Sequence, residues 1–275
     1  MPDAEQKIIF PCDQTYEISL RPGISYEKLK FTFKNAAGEE LAGLLELPEN
    51  PKAFALLAHC FTCGKDLKGA ARIARKLTEN AIAVLRFDFT GLGNSEGDFS
   101  NTNFSSNISD LLCAVDYLRR QYEAPSLLIG HSLGGSAILS IAGEVPEAKA
   151  VVTIGSPGEL THVKRLFKDD VENINQHGAY PVELAGRVFT LKKQMLDNIQ
   201  EHKIAHKVFA MNKPLLIFHA TEDDTVLIEQ AEKIFKAAKH PKSFISLGKA
   251  DHLLTHAQDA EYVADIIISW SECYL

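Results

Sequence analysis

The chain has 275 residues, a length that α/β folds commonly hold in one unit, and its 45% hydrophobic and 24% charged content is ordinary for a globular protein. That composition excludes disorder, collagen and coiled coil. A net charge of −7, from 36 acidic and 29 basic residues, argues against nucleic-acid binding, which needs clustered Lys and Arg.

No apolar run reaches the roughly 18 residues of a membrane span. Residues 1–7 lack the basic and apolar regions of a secretory signal. Five cysteines (Cys12, Cys60, Cys63, Cys113, Cys273) are odd in number and too sparse for a disulfide framework. Together these features lead us to expect a cytoplasmic protein.

Residues 31–33 and 41–47 flank Asn35-Ala-Ala-Gly38 and read as a hairpin. After it, apolar strand-like runs recur at 53–59, 81–87, 126–129, 150–154, 214–219 and 243–247. Helical patterns lie between them at 67–77, 108–122, 136–142, 228–238 and 257–270. Runs apolar throughout suit a parallel sheet covered on both faces. The expected fold is α/β: one unit spanning 1–275, with a mixed, mostly parallel sheet of about eight strands, doubly wound. Residues 156–211 break the rhythm, with helical patterns and no convincing strand. We expect them to form a helical cap over the carboxyl edge of the sheet, where open α/β folds bind ligands.

The strongest chemical signal is Gly130-His131-Ser132-Leu133-Gly134, placed between a short apolar strand and a helix. Side chains at Gly130 or Gly134 would collide with neighbouring backbone in so sharp a turn. Such a turn presents the Ser132 hydroxyl at the positive end of the next helix and aims the Leu133 N–H where an oxyanion forms. Gly93-Asn94-Ser95-Glu96-Gly97 matches the same pattern, but a loop composition follows it, so Ser95 reads as a turn residue. A nucleophilic serine needs a base and an orienting carboxylate. Ser132, an acid among Glu222, Asp223 and Asp224, and His252 follow the chain order Ser, acid, His, each just past a strand. Cys60-Phe-Thr-Cys63 has redox-motif spacing. It lacks the helix start of a thioredoxin-like site and the partner ligands of a zinc site, so we expect buried, inert thiols.

Several strings carry a family likeness: the Ser132 turn, His59-Cys-Phe-Thr-Cys-Gly-Lys-Asp66, Arg86-Phe-Asp-Phe-Thr-Gly-Leu-Gly93, Asn101-Thr-Asn-Phe-Ser-Ser106 and Ala250-Asp-His-Leu-Leu-Thr255. Across nearly its whole length the chain resembles the α/β-hydrolase superfamily, and within it a bacterial subgroup often fused to an OsmC-like domain. The resemblance implies a serine hydrolase with Ser132 as nucleophile, Asp223 as acid and His252 as base. It favours Asp223 over Asp224 because Asp-x-x-Val is matched by Val226. It places the second oxyanion N–H in the loop after the third strand, at Phe61 with Thr62 as the fallback. There Cys60 stands where related hydrolases have glycine, and His59 reads as a scaffold of the loop. It also implies an OsmC-like partner domain.

The expected activity is cleavage of small-molecule carboxylic esters through an acyl-enzyme, with no metal or organic cofactor. Peptidase or thioesterase action on the same fold is the neighbouring alternative. A catalytically silent module that binds an OsmC-like protein is the alternative from another class.

Overall fold

A computed structural model describes residues 25–275, apart from 61 and 185. The calls on residues 1–7, Cys12 and Phe61 lie outside the described residues.

The first two strands form the expected hairpin: β1 (Tyr26–Lys34) pairs antiparallel with β2 (Glu40–Pro48), Phe33 opposite Leu41. The Asn35 side chain caps the turn by accepting the N–H groups of Ala37 and Glu39, and Gly38 supplies the positive φ. From there strands and helices alternate: β3 (Ala53–Ala58), α1 (Lys68–Thr78), β4 (Ile82–Phe87), α2 (Phe104–Gln121), β5 (Leu127–His131), α3 (Leu133–Ile141) and β6 (Ala150–Ile154). After the 156–211 segment come β9 (Leu215–His219), α7 (Glu229–Ala237), β10 (Lys242–Ser246) and α8 (Ala257–Ser271). The eight-stranded sheet has the order β1-β2-β4-β3-β5-β6-β9-β10, antiparallel at β1/β2 and β2/β4 and parallel elsewhere.

Alternate residues of each central strand supply the two cores. Leu57, Val84, Ile129, Val152 and Phe218 pack beneath α1 and α8. Leu56, Leu85, Leu128, Val151 and Ile217 face α2, α3 and the 156–211 segment. Each such side chain, fully withdrawn from water, contributes roughly 1.5–3 kcal/mol, so the central strands read as unbroken apolar runs. This is the expected α/β-hydrolase fold.

The 156–211 segment differs from expectation. It does contain helices, α4 (Val171–His177), α5 (Lys193–Glu201) and α6 (Ile204–Met211), after a 3₁₀ stretch at Leu160–Phe167. But it also holds a two-stranded antiparallel sheet, β7 (Ala179–Leu184) with β8 (Arg187–Lys192), Val182 opposite Phe189. The strand-free reading is therefore corrected: Val182 and Leu184 alternate with exposed neighbours, as do Phe189 and Leu191, and Gly186 makes the turn. The segment reaches loops at the carboxyl edge of the sheet. Phe189 lies 4.8 Å from Phe99, Lys192 donates to Asn101, and His162 Nε2 accepts the Leu227 N–H. α6 then rejoins the helical layer beside α3 and α7. Phe167, Phe189 and Met195 are buried in the core shared with the main body.

Candidate active site

Ser132 sits between β5 and α3 with φ 55° and ψ −129°, a conformation that costs a non-glycine residue roughly 1–3 kcal/mol. The glycines around it leave no room for side chains. A Cβ on Gly130 would lie 2.4 Å from the Gly135 Cα, and one on Gly134 would lie 2.3 Å from the His59 carbonyl oxygen. The turn is therefore packed main chain against main chain, and Ser132 begins the helix whose N-terminal N–H groups face the site.

His252 follows β10, and its imidazole lies between the other two groups. Its Nε2 is 3.0 Å from Ser132 Oγ, and its Nδ1–H donates to Asp223 Oδ2 at 2.7 Å. Asp223 lies in the turn after β9, where its Oδ1 also accepts the N–H groups of Thr225 and Val226. Burial pushes this carboxyl's pKa up, but the His252 hydrogen bond and charge, with the Val226 N–H, outweigh it and hold the pKa below the usual value. Asp224 is exposed and meets only Thr225 among the described contacts. The three residues singled out in the sequence thus come together, and a chain of this kind can carry a proton from a serine hydroxyl to an imidazole held in one tautomer. Ser95 does not join them. Its hydroxyl donates to the Asp88 carbonyl and accepts the Ala42 N–H, tying the turn after β4 to β2.

The loop after β3 lies against this turn. His59 Nδ1–H donates to the Cys60 carbonyl oxygen at 2.7 Å, and its ring packs edge-on against Phe89. Burial holds its pKa below the ordinary value, which suits a scaffold and not a second base. The expectation of inert thiols is overturned: Cys60 and Cys63 form a disulfide. The Cys63 N–H donates to the Cys60 carbonyl, a turn that brings the two Cα atoms to 5.4 Å, within bonding reach. The pair brackets residues 61 and 62, the two oxyanion candidates of the loop. Cys113 is a half-buried free thiol whose pKa is raised by burial.

Several residues of the family strings have structural work here that sequence reasoning missed. Asp88, almost fully buried, accepts the Lys65 backbone N–H and ammonium, both at 2.7 Å, and the Asn94 N–H at 3.0 Å. Arg86 donates to the Lys65 carbonyl oxygen and pairs with buried Glu46 at 3.5 Å. Gly93 lets backbone approach the Asp88 carboxylate, since a Cβ there would lie 2.3 Å from it. A buried charge network thus anchors the far end of the disulfide loop. A Lys-Asp pair 23 residues apart, linked to an x-Phe-Asp string, is the signal that could have pointed to it.

The described residues contain no cluster of His, Cys, Asp or Glu able to hold a metal ion. None of their helices is long and apolar enough to cross a membrane.

Fold and site together define a protein of the α/β-hydrolase superfamily, to which the chain belongs. The family profile described as serine aminopeptidase, S33, matches residues 49–169. The solved esterase domain of a Rhodothermus marinus protein is 45% identical, with TM-score 0.74, covering 90% of this chain and 99% of that one. Est1E from Butyrivibrio proteoclasticus, solved with ferulic acid bound, shares the fold at 21% identity and TM-score 0.72, covering 89% and 98%. The human mitochondrial palmitoyl-protein thioesterase ABHD10 is 25% identical over 212 residues, or 74% of this chain. The chain spans about 62% of the length of that relative.

Proposed function

We propose that the protein is a serine hydrolase that cleaves carboxylic esters through an acyl-enzyme. Ser132 is the nucleophile, His252 the general base and then acid, and Asp223 the orienting carboxylate. The observation that carries this reading is the continuous hydrogen-bonded chain from Ser132 through His252 to Asp223, with the serine on a strained turn at a helix N-terminus. His252 takes the hydroxyl proton as Ser132 attacks the carbonyl. The oxyanion is held by the Leu133 N–H, with Phe61 supplying the second donor. His252 then protonates the leaving alcohol, and a water molecule repeats the sequence to release the acid.

Ester substrates are favoured by the similarity to the Rhodothermus marinus esterase domain, which extends over nearly all of both chains. A thioesterase is the second reading, favoured by the sequence similarity to palmitoyl-protein thioesterases. In either case residues 156–211 act as the cap that selects the acyl group. The intact relay disfavours a silent module that only binds an OsmC-like partner.

A fluorophosphonate probe should label the wild type and not Ser132→Ala. Matched oxyester, thioester and aminoacyl substrates then rank the leaving groups. The ester reading fails if kcat/KM for the thioester or the aminoacyl substrate exceeds that for its oxyester.

A further inference from the structure

Two buried histidines flank the relay without belonging to it. His131 ends β5, one residue before Ser132, and its Nε2–H donates to the main-chain carbonyl of His252 at 2.7 Å. His219 ends β9, and its Nε2–H donates to the carbonyl of Val226 at 2.7 Å, closing the turn that carries Asp223. The rings of His131 and His252 lie 5.0 Å apart, and His219 Nε2 lies 3.9 Å from Asp223 Oδ2.

We propose that His131 and His219 are positioning residues, each fixing one member of the Ser132 relay, His252 and Asp223 respectively, by a single imidazole hydrogen bond to the main chain. The proposal rests on the hydrolase reading above and deepens it.

The surroundings explain why imidazole stands at these two positions. His131 borders a small apolar space shared with Leu57, Ile73, Ile154 and Leu254. Nδ1 of each ring has no hydrogen-bond partner among the described residues. At His131 a leucine would fill the place without bringing a bare lone pair into apolar surroundings. What the imidazole adds is one N–H directed at one carbonyl. Burial holds both pKa values below the ordinary value, so the rings stay neutral, with the proton on Nε2 where the bond needs it.

The geometry converts that bond into orientation. Fixing the His252 carbonyl fixes the main chain from which its imidazole reaches Ser132. On the other side of the same loop, α1 comes so close that a Cβ on Gly69 would lie 2.5 Å from the Leu253 carbonyl oxygen. The loop is held between a helix and a hydrogen bond. Likewise the His219 bond closes a turn whose inner N–H groups, those of Thr225 and Val226, grip Asp223 Oδ1. Misplacing a reacting group by about 1 Å can cost about 10²-fold in rate.

The test compares amides of two lengths. Glutamine reaches the Nε2 position with its amide N–H, whereas asparagine reaches only the Nδ1 position. With p-nitrophenyl acetate as substrate, His131→Gln and His219→Gln should keep kcat within about threefold of wild type. The Asn and Leu variants should lose about 10²-fold in kcat with KM unchanged. In an Asp223→Asn background, His219→Leu should add no more than about a twofold loss, because the carboxylate it positions is gone. If a Leu variant fails to fold, the Gln-to-Asn ratio still decides. Equal activities for Gln and Asn, losses in KM instead of kcat, or multiplying losses in the double variant would overturn the proposal. Wild-type kcat in every His131 and His219 variant, with Ser132→Ala inactive, would overturn it alone. Full activity in Ser132→Ala would instead overturn the hydrolase reading, and this proposal with it.

Discussion

Replacing His131 by glutamine should flatten the acid side of the stability curve by a calculable amount. Burial, with the nearby His252 charge second, lowers the His131 pKa from 6.5 to about 3. In the unfolded chain the imidazole titrates at about 6.5, so below that pH the unfolded state binds a proton that the folded state refuses. The stabilisation is complete above pH 6.5 and is lost progressively as pH falls towards 3. For one such group the loss is about 2 kcal/mol at pH 5 and about 0.2 kcal/mol at pH 7, from RT ln(1 + 10^(6.5 − pH)). Glutamine does not titrate. His59 and His219 are present in both proteins, so their contributions cancel in the difference. Urea unfolding at pH 7 and pH 5 should therefore show the wild type losing about 2 kcal/mol more than His131→Gln, whatever their relative stability at pH 7. In thermal melts the difference is about 4–8 °C. Parallel stability curves for the two proteins would refute the reasoning, because they would mean that His131 titrates in the folded state as it does in the unfolded chain.

Four further outcomes are expected. Ser132→Ala should abolish hydrolysis and fluorophosphonate labelling, whereas Ser95→Ala, which loses only contacts to Ala42 and Asp88, should keep both; mass mapping of the labelled peptide checks this. Asp223→Asn should lower kcat by about 10⁴-fold, since the imidazole would be held in the wrong tautomer, while exposed Asp224→Asn should cost only a few-fold in the same steady-state assay. Lys65→Met leaves the buried Asp88 carboxylate without its cation and should destabilise the fold by about 3–5 kcal/mol, read from denaturant midpoints. Iodoacetamide should modify the Cys60 and Cys63 peptides only after reduction; modification without reductant would contradict the disulfide.

The parts of the molecule that were legible in the sequence share one property: the physics that sets them is local or periodic. Central strands covered on both faces are unbroken apolar runs, and β3, β5, β6 and β9 were read from that alone. The turn at Ser132 announced itself through glycines that main-chain crowding demands. By contrast, β7 and β8 are short and half exposed, with Pro181 inside the first, so their alternation did not stand out from a helical background. α2 begins four residues before its apolar pattern, because its start is set by the Asn103–Ser106 capping box, which places Phe104 in the core one turn ahead of that pattern. The spacing of Cys60 and Cys63 was visible, but their bonding depends on a turn that only the folded loop provides. His131 and His219 had no sequence signature at all. Their partners are main-chain carbonyls, which every residue possesses, and only the register of the sheet brings them within reach.

The contact between Gly134 and the loop after β3 bears on how such a protein can be diversified. A Cβ at Gly134 would strike the carbonyl oxygens of both His59 and Ala58, so at that point the Ser132 turn and the loop after β3 meet main chain to main chain. Neither can shift at that contact without the other, and a side chain added at Gly134 should unfold or inactivate the protein. If residues 156–211 act as the proposed cap, the freedom to acquire new substrates lies in the 160–201 stretch, which meets the rest through side chains such as Phe189 on Phe99 and Asn198 on Ser105. Those contacts can be exchanged one at a time. A library confined to that stretch should yield altered acyl preference while the reaction itself is inherited unchanged.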